Sequence, residues 1–237
     1  MNNNAERLIK SYNEFSDYLE NKKLKVRDEA FSQAIDKLSN KDSLVRKNNL
    51  FLKRCATLRN TIVHHQSYPQ EIIAMPEEKC VSDFERMVGW IVQPRKLHQV
   101  FKEEVNVFDL SVLLPKVLTF MKENDYSQVV AKNEDGSLEV LTSEGITNWL
   151  RNNVEDDVIS IRETNLSDVI KSEPAETHQF VSQNSDVNEL QEIFRKGNGK
   201  GMAPLFAVVI TNDGKSTGQP VGIATPWDVM ALEESFQ

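Results

Sequence analysis

An internal repeat in the second part of the chain restricts the possible folds more than any other feature of the sequence. Each copy shows the same order, namely a helical pattern followed by two short apolar runs on either side of an Asp-Gly turn. The helices are expected at about 111–124 and 186–196, and the turns lie at 133–136 and 212–214. A unit of about 70 residues that occurs twice predicts two modules, which bury a shared face and leave clefts between them.

The segments that lead into the two copies match as well. Residues 96–101 and 165–170 have apolar residues at corresponding positions. The repeat therefore extends to the start of each copy.

The second copy ends in the run GIATPWDV, residues 222–229, in which an apolar strand stops at Thr225 and a helix starts at Pro226. Thr225 can cap this helix, and a phosphate beyond the strand would meet its hydroxyl, the first-turn amides and the helix dipole. Asp228 lies one turn into the helix and can accept two hydrogen bonds from a ribose diol. Taken alone, the same T-x-x-D pattern is also typical of an ordinary helix cap with an acid in the first turn.

The duplicated helix, the two strands around Asp-Gly and the motif at the strand-to-helix junction together resemble a pair of CBS domains, or Bateman module. The resemblance covers about residues 95–233 and implies that an adenine nucleotide (AMP, ADP or ATP) binds as a regulatory ligand. It implies that Thr225 meets the phosphate and Asp228 the ribose hydroxyls. By the same resemblance, the weaker candidates for contact with adenine are Phe180, Val181, Ala203 and Pro204.

The first copy departs from this pattern. It keeps Thr142 at the end of its strand, but Gly145 stands where the ribose-binding acid is expected. We therefore expect one nucleotide site per chain, in the second copy. Binding in the first copy through the neighbouring acid Glu144 is the alternative, and a purely structural role for the first motif is favoured over it.

Residues 1–94 show a different pattern, with apolar residues three and four positions apart and no strand-like alternation. A third helix is expected from Ser43 to about His65. The predicted fold is α+β and multidomain, with an all-α up-and-down four-helix bundle followed by a tandem pair of α/β CBS modules. The domain limits are predicted at 1–94 for the bundle and 95–237 for the pair, with modules at 95–160 and 161–237.

Three polar residues, Arg59, Asn60 and His64, gather near the end of the third predicted helix. Asn60 and His64 are four residues apart and share a face, and Arg59 is long enough to reach the same space. Residues 43–66 hold five Lys or Arg and no acid. A basic helix that ends in such a group offers phosphate neutralisation and a side chain that titrates near neutral pH, as RNA cleavage requires. A solvated basic helix with histidines near its C-terminal dipole is the alternative interpretation.

This R-N-x-x-x-H pattern late in a helical bundle resembles the signature of the HEPN superfamily. The resemblance implies a metal-independent endoribonuclease that acts as a homodimer, here on single-stranded RNA. In it Arg59 would hold the scissile phosphate, His64 would be the general acid or base, and Asn60 would orient one of them. The ribose 2′-hydroxyl would be the nucleophile.

Two functions follow, and whether the protein is an enzyme stays open at this point. One is an RNA endonuclease regulated by adenine nucleotides, with the CBS pair as sensor and the bundle as ribonuclease. The other is a non-catalytic nucleotide sensor or adaptor that dimerises through its helical domain.

The charge of the chain is divided unevenly. Residues 1–95 hold 16 Lys and Arg against 13 Asp and Glu, a net charge of +3, whereas residues 96–237 hold 12 against 23, a net charge of −11. A mildly basic first part can approach a polyanion that the acidic remainder repels. Differently solvated surfaces explain the same division equally well.

Membrane and metal sites are not indicated. No segment approaches the roughly 18 uncharged apolar residues of a membrane span, and the N-terminus lacks an apolar signal core. We therefore expect a cytoplasmic protein. Cys55 and Cys80 are far apart in the sequence and only four His are present, so neither a zinc site nor a disulfide framework is predicted.

Overall fold

The computed structural model describes residues 4–24, 30–64, 74–154, 158–198 and 204–234, apart from the side chains of residues 64, 233 and 234. The chain divides into two compact units, residues 1–95 and 96–237. Within the described ranges, no helix is long and apolar enough to cross a membrane.

The described residues of the first unit form four helices, α1 (Asn4–Asn21), α2 (Phe31–Ser39), α3 (Ser43–His64) and α4 (Glu78–Val92). Helix α1 packs against α4 and α3, and α2 packs against α3. The described part of this unit contains no strand, as its period of three and four residues predicts. Helix α3 begins at the predicted residue, because the Asp42 carboxylate accepts a hydrogen bond from the Val45 amide at 2.9 Å.

The core of the first unit is apolar and draws on all four helices. Its fully buried side chains include Leu8, Phe15, Leu19, Ile35, Leu52, Phe84 and Ile91. At the edge of this core Arg7 of α1 lies between two carboxylates of α4, 2.6 Å from Glu78 and 2.6 Å from Glu85. The two hydrogen-bonded carboxylates raise the pKa of the Arg7 guanidinium above its usual value. Helices α1 and α4 are thus joined by apolar packing and by a charged clamp at its border.

The second unit contains two copies of one element order. The first copy holds a leading helix α5 (Leu97–Val100), β1 (Val107–Asp109), α6 (Leu114–Asn124), β2 (Gln128–Lys132), β3 (Leu138–Thr142) and α7 (Ser143–Asn152). The second holds α8 (Leu166–Val169), which a short 3-10 helix (Ile170–Ser172) extends, then β4 (His178–Ser182), α9 (Val187–Gly197), β5 (Ala207–Thr211), β6 (Pro220–Ala224) and α10 (Pro226–Glu234). The element order confirms the internal repeat.

Each copy forms a three-stranded sheet of the same topology. In the first sheet β1 runs parallel to β2, which is antiparallel to β3, with Val130 opposite Val107 on one side and Val140 on the other. In the second, β4, β5 and β6 repeat this arrangement, with Val209 between Phe180 and Ile223. The apolar runs of the sequence correspond to the last two strands of each sheet.

The Asp-Gly turns join the antiparallel strands, as predicted. Gly136 and Gly214 have φ angles of +86° and +83°, a conformation in which side chains with a Cβ are strained. In the first turn the Asp135 carboxylate accepts hydrogen bonds from the amide and the hydroxyl of Ser137. These bonds lower the pKa of Asp135 below its usual value.

The two leading segments, residues 96–101 and 165–170, are exchanged between the copies. The Leu97 amide donates to the carbonyl of Ser185 in the second copy at 2.9 Å, and the Leu166 amide donates to the carbonyl of Val112 in the first at 2.8 Å. The side chains follow their backbones, since Leu97 lies in the hydrophobic core of the second copy and Leu166 in that of the first. Each module in space therefore contains a segment from the other half of the unit.

A third core is shared by the two sheets. It contains Val130, Leu138 and Val140 from the first copy, and Ala207 and Val209 from the second. The Leu138 amide also donates to the carbonyl of Ser216 at 2.7 Å. The shared face that the repeat predicts is thus a contact of sheet against sheet.

Candidate functional site

Thr225 and Asp228 lie together at the junction of β6 and α10. Strand β6 ends at Ala224, and α10 starts at Pro226, whose missing amide hydrogen costs nothing in the first helical turn. The backbone amide and the hydroxyl of Thr225 both donate to Asp228 Oδ2, at 2.7 Å and 2.8 Å. Both residues are half-buried. The local motif therefore brings the two predicted ligand-binding residues into direct contact.

Only one oxygen of the Asp228 carboxylate is used in this contact. Within the described part of the chain, Oδ1 accepts no hydrogen bond. The neighbouring Trp227 is 76% exposed. An anchored carboxylate with one open oxygen is suited to accept hydrogen bonds from a sugar hydroxyl.

Phe180 and Val181, two candidates for contact with adenine, lie on β4 and face in opposite directions, because side chains alternate along a strand. Val181 is 5% exposed and lies in the hydrophobic core of the second copy. Phe180 is half-buried and packs against the core that the sheets share. Of the two, Phe180 is the one that a ligand can reach.

The other two candidates precede β5. Pro204 is exposed, and Ala203 lies outside the described residues.

In the first copy, Thr142 stands at the junction of β3 and α7, as Thr225 does at its own junction. Thr142 is 3% exposed. Its hydroxyl accepts a hydrogen bond from the Gly145 amide at 3.2 Å and so caps α7. In this structure Thr142 therefore stabilises the start of α7.

The carboxylate at this junction comes from a distant residue, Glu173. The Thr142 amide donates to Glu173 Oε2 at 2.9 Å, and the Thr142 hydroxyl donates to Oε1 at 2.8 Å. Glu173 follows the 3-10 helix, 31 residues beyond Thr142 in the sequence. Glu144, the acid considered from the sequence, is exposed. No local sequence pattern around Glu173 predicts its contact with Thr142. This contact depends on the exchanged leading segment, which ends just before Glu173.

His178 lies close to this carboxylate, at the start of β4. Its Nδ1 atom is buried and has no hydrogen-bond partner among the described residues. Burial lowers the pKa of His178 below its usual value, and the negative charges of Glu173 and Glu139 oppose the shift without cancelling it. The imidazole is therefore neutral near pH 7.

In the first unit, the structure brings Arg59 and Asn60 together. Arg59 Nη1 donates to Asn60 Oδ1 at 3.1 Å, and the guanidinium lies over the ring of Tyr12, 4.5 Å from its centroid. Arg59 Nε is buried and has no hydrogen-bond partner in the described part of the chain. Asn60 is exposed. His64 is the last residue of α3, and its side chain lies outside the described part.

The two cysteines, distant in the sequence, are neighbours in the first unit. Burial raises the pKa of the Cys55 thiol to about 12, and the adjacent, hydrogen-bonded thiol of Cys80 adds to the shift. Cys55 is buried in α3, and Cys80 of α4 is half-buried. Among the residues that the structure describes, no group of three or more His, Cys, Asp or Glu is placed to hold a metal ion.

Comparison with known proteins finds similar folds and no sequence match. No family model matches the chain, and no curated protein matches it either. A CBS domain pair crystallised with 5′-methylthioadenosine and S-adenosyl-L-methionine is 13% identical, with a TM-score of 0.46 over 61% of this chain and 99% of the other. CBSX2 in complex with AMP is 11% identical, with a TM-score of 0.41 over 59% and 96% of the two chains.

A third similar structure is the CBS domain of a CBS-domain membrane protein from Sphaerobacter thermophilus. It is 18% identical, with a TM-score of 0.44 over 62% of this chain and 93% of that one. The solved structures similar to this chain thus include a CBS domain pair and proteins that contain CBS domains.

Proposed function

We propose that the second unit is a regulatory sensor of adenine nucleotides, and that AMP, ADP or ATP binds where β6 ends and α10 begins. The observation that carries this proposal is the half-satisfied carboxylate of Asp228, whose Oδ2 is held by Thr225 while Oδ1 is open. Because Thr225 already holds the carboxylate in place, the Asp228 side chain loses little conformational entropy when a ribose diol binds to it.

The phosphate of the nucleotide is assigned to Thr225 and the first turn of α10. The backbone amides at the start of a helix, together with its dipole, favour an anion. Adenine is assigned to Phe180, with Pro204 and Ala203 as weaker candidates. Val181 is a poor candidate, because its side chain is part of the core.

Replacement of Asp228 tests the site directly. Asp228→Ala is expected to weaken AMP binding by about 1.5–3 kcal/mol, since the ribose loses charge-assisted hydrogen bonds. Isothermal titration calorimetry measures the change, with ADP, ATP and S-adenosylmethionine as further ligands.

Glu189→Ala is the matched control for this replacement. Glu189 follows the N-cap residue Asp186 of α9 by three positions, as Asp228 follows Thr225, and it is exposed. The control is expected to bind AMP like the parent. Equal AMP affinities for the parent and Asp228→Ala would remove Asp228 from the site.

For the first unit we propose an up-and-down four-helix bundle that pairs with a second copy and cleaves single-stranded RNA without a metal ion. The observation that favours this function is the position of Arg59, held over Tyr12 with a hydrogen bond to Asn60, four residues before His64. A guanidinium held in this way is prepared to stabilise charge on a phosphate. The competing proposal is an adaptor that dimerises through the same helices and has no catalytic activity.

Cleavage of a labelled single-stranded RNA in EDTA separates the two proposals. His64→Ala is expected to lower the cleavage rate about 10²- to 10⁴-fold, because it removes the group that transfers the proton. Lys10→Ala is the control, since Lys10 is an exposed cation of α1 that lies outside the basic stretch 43–66.

Light scattering of the same samples measures whether the protein is a dimer. RNA that stays intact with and without AMP would favour the adaptor, and equal cleavage rates for the parent and His64→Ala would assign the activity to another site or to a contaminant.

A further inference from the structure

In the first copy a distant residue, Glu173, supplies the carboxylate that the motif around Thr142 lacks. Asp228 in the second copy accepts hydrogen bonds from the amide and the hydroxyl of Thr225. Glu173 accepts hydrogen bonds from the amide and the hydroxyl of Thr142, the equivalent residue. The same two donors are therefore satisfied in both copies, once by a residue three positions away and once by a residue 31 positions away.

Gly145 provides the space for this distant carboxylate. It occupies the position that corresponds to Asp228, and a Cβ built on it would lie 2.0 Å from Glu173 Oε2 and 3.1 Å from Glu173 Cδ. Any side chain at position 145 would therefore have to displace the Glu173 carboxyl group. The Glu173 carboxyl group fits at this place only because Gly145 has no side chain.

The two carboxylates differ in what they leave available. Asp228 uses only Oδ2 for Thr225, whereas both oxygens of Glu173 accept a hydrogen bond from Thr142. The Thr142 hydroxyl has a single hydrogen to donate, and Glu173 receives it. The Thr225 hydroxyl donates to Asp228 in the same way, so the two copies differ in the carboxylate and not in this donor: one oxygen of Asp228 accepts no hydrogen bond among the described residues, whereas both oxygens of Glu173 accept one.

We propose that Glu173 is a built-in occupant of the first motif, which closes the first module to nucleotides and limits the chain to one nucleotide. The proposal rests on the proposed function of Thr225 and Asp228. The first copy then fails to bind a nucleotide for two reasons. Its motif lacks the ribose-binding acid, and Glu173 occupies the space beside Thr142 and Gly145. Gly145→Asp together with Glu173→Ala should then give the first copy a binding site of its own.

The test transplants the acid into the first motif. Asp228→Ala is expected to weaken AMP binding in the second copy about 10- to 150-fold, and Gly145→Asp with Glu173→Ala in the same chain should restore one tightly bound AMP per chain. Calorimetry with AMP gives the stoichiometry. In the background of an intact Asp228, the double replacement should raise binding from one AMP per chain to two. Glu144→Ala, next to Gly145 and exposed, is the control and should leave one AMP per chain.

The outcomes separate this proposal from the function on which it rests. Binding of two AMP per parent chain would overturn the proposal that Glu173 closes the first module. The same holds if the double variant folds and gains no site while the site at Asp228 binds AMP. No binding by the parent but binding by the double variant refutes the site at Asp228 and supports the occupant. No AMP binding by any folded variant overturns both.

A second measurement does not depend on AMP. Gly145→Ala is expected to lower the thermal midpoint of unfolding, because its methyl group meets Glu173. The same replacement in a Glu173→Ala chain should lower it less, since the obstacle is gone. An equal loss in both backgrounds would show that the two residues do not compete for the space and would overturn the proposal.

Discussion

His178 is the single residue whose titration has the clearest consequence for stability. Its imidazole is buried at the start of β4, with Nδ1 lacking a hydrogen-bond partner in the described residues. Because burial penalises the charged form, its pKa in the folded protein lies below the usual value. The unfolded chain therefore binds the proton more readily than the folded one does.

We accordingly predict that His178 makes the protein less stable in mild acid. Its contribution is fully present above the pKa of an unfolded histidine, about 6.5, and is lost as the pH falls below that value. Urea denaturation at pH 7.5 and pH 5.5 measures the effect, and His178→Gln should show a smaller loss between the two. His98→Gln, at an exposed histidine, is the control. Parallel losses in the parent and in His178→Gln would contradict the prediction.

At the scale of elements, the exchange of leading segments depends on close approach between β6 and residues 96–101. A Cβ at Gly222 in β6 would lie 2.8 Å from the Cβ of Phe101 and 3.4 Å from Ile210. The nearest atom is at the base of a side chain, so it cannot move without its backbone. At Gly222, the leading segment of the first copy thus packs closely against β6 of the second copy.

Gly222→Ala should therefore destabilise the second unit, by about 1–3 kcal/mol from overpacking. Gly89→Ala is the opposite case, because Gly89 lies within α4 and nothing stands within 4 Å of its Cβ position. There the change should stabilise by about 0.5–1 kcal/mol, since alanine is the better helix former. Chemical denaturation measures both, and loss of stability in both variants would contradict the steric explanation.

At the scale of the whole molecule, regulation requires a difference in affinity between two states. Under the proposed function, a nucleotide bound near Thr225 would change the activity of the first unit only if one state of the chain binds it better. Each tenfold shift in population needs about 1.4 kcal/mol of difference. Under the proposed function, the net charges of +3 and −11 in the two parts of the chain would direct RNA to residues 1–95.

The sequence by itself determined the features that depend on neighbouring residues. The periods of the apolar residues predicted the helices of the first unit and the last two strands of each sheet, and the Asp-Gly turns placed the hairpins. The sequence also placed Thr225 and Asp228 one helical turn apart, which is close enough for the contact that the structure shows. β1, with three residues, is too short to show a pattern.

Only the tertiary structure decided which distant groups meet. The exchange of the leading segments, the contact of Cys55 with Cys80 and the placement of Arg59 over Tyr12 join residues that no local period relates. Glu173 is the clearest case, since its sequence neighbours resemble a loop, and its carboxylate finds Thr142 only because the segment before it is folded into the other copy. Buried hydrogen-bond donors need acceptors, but the sequence alone does not show which acceptor each donor finds. Here the packing of the chain determines it.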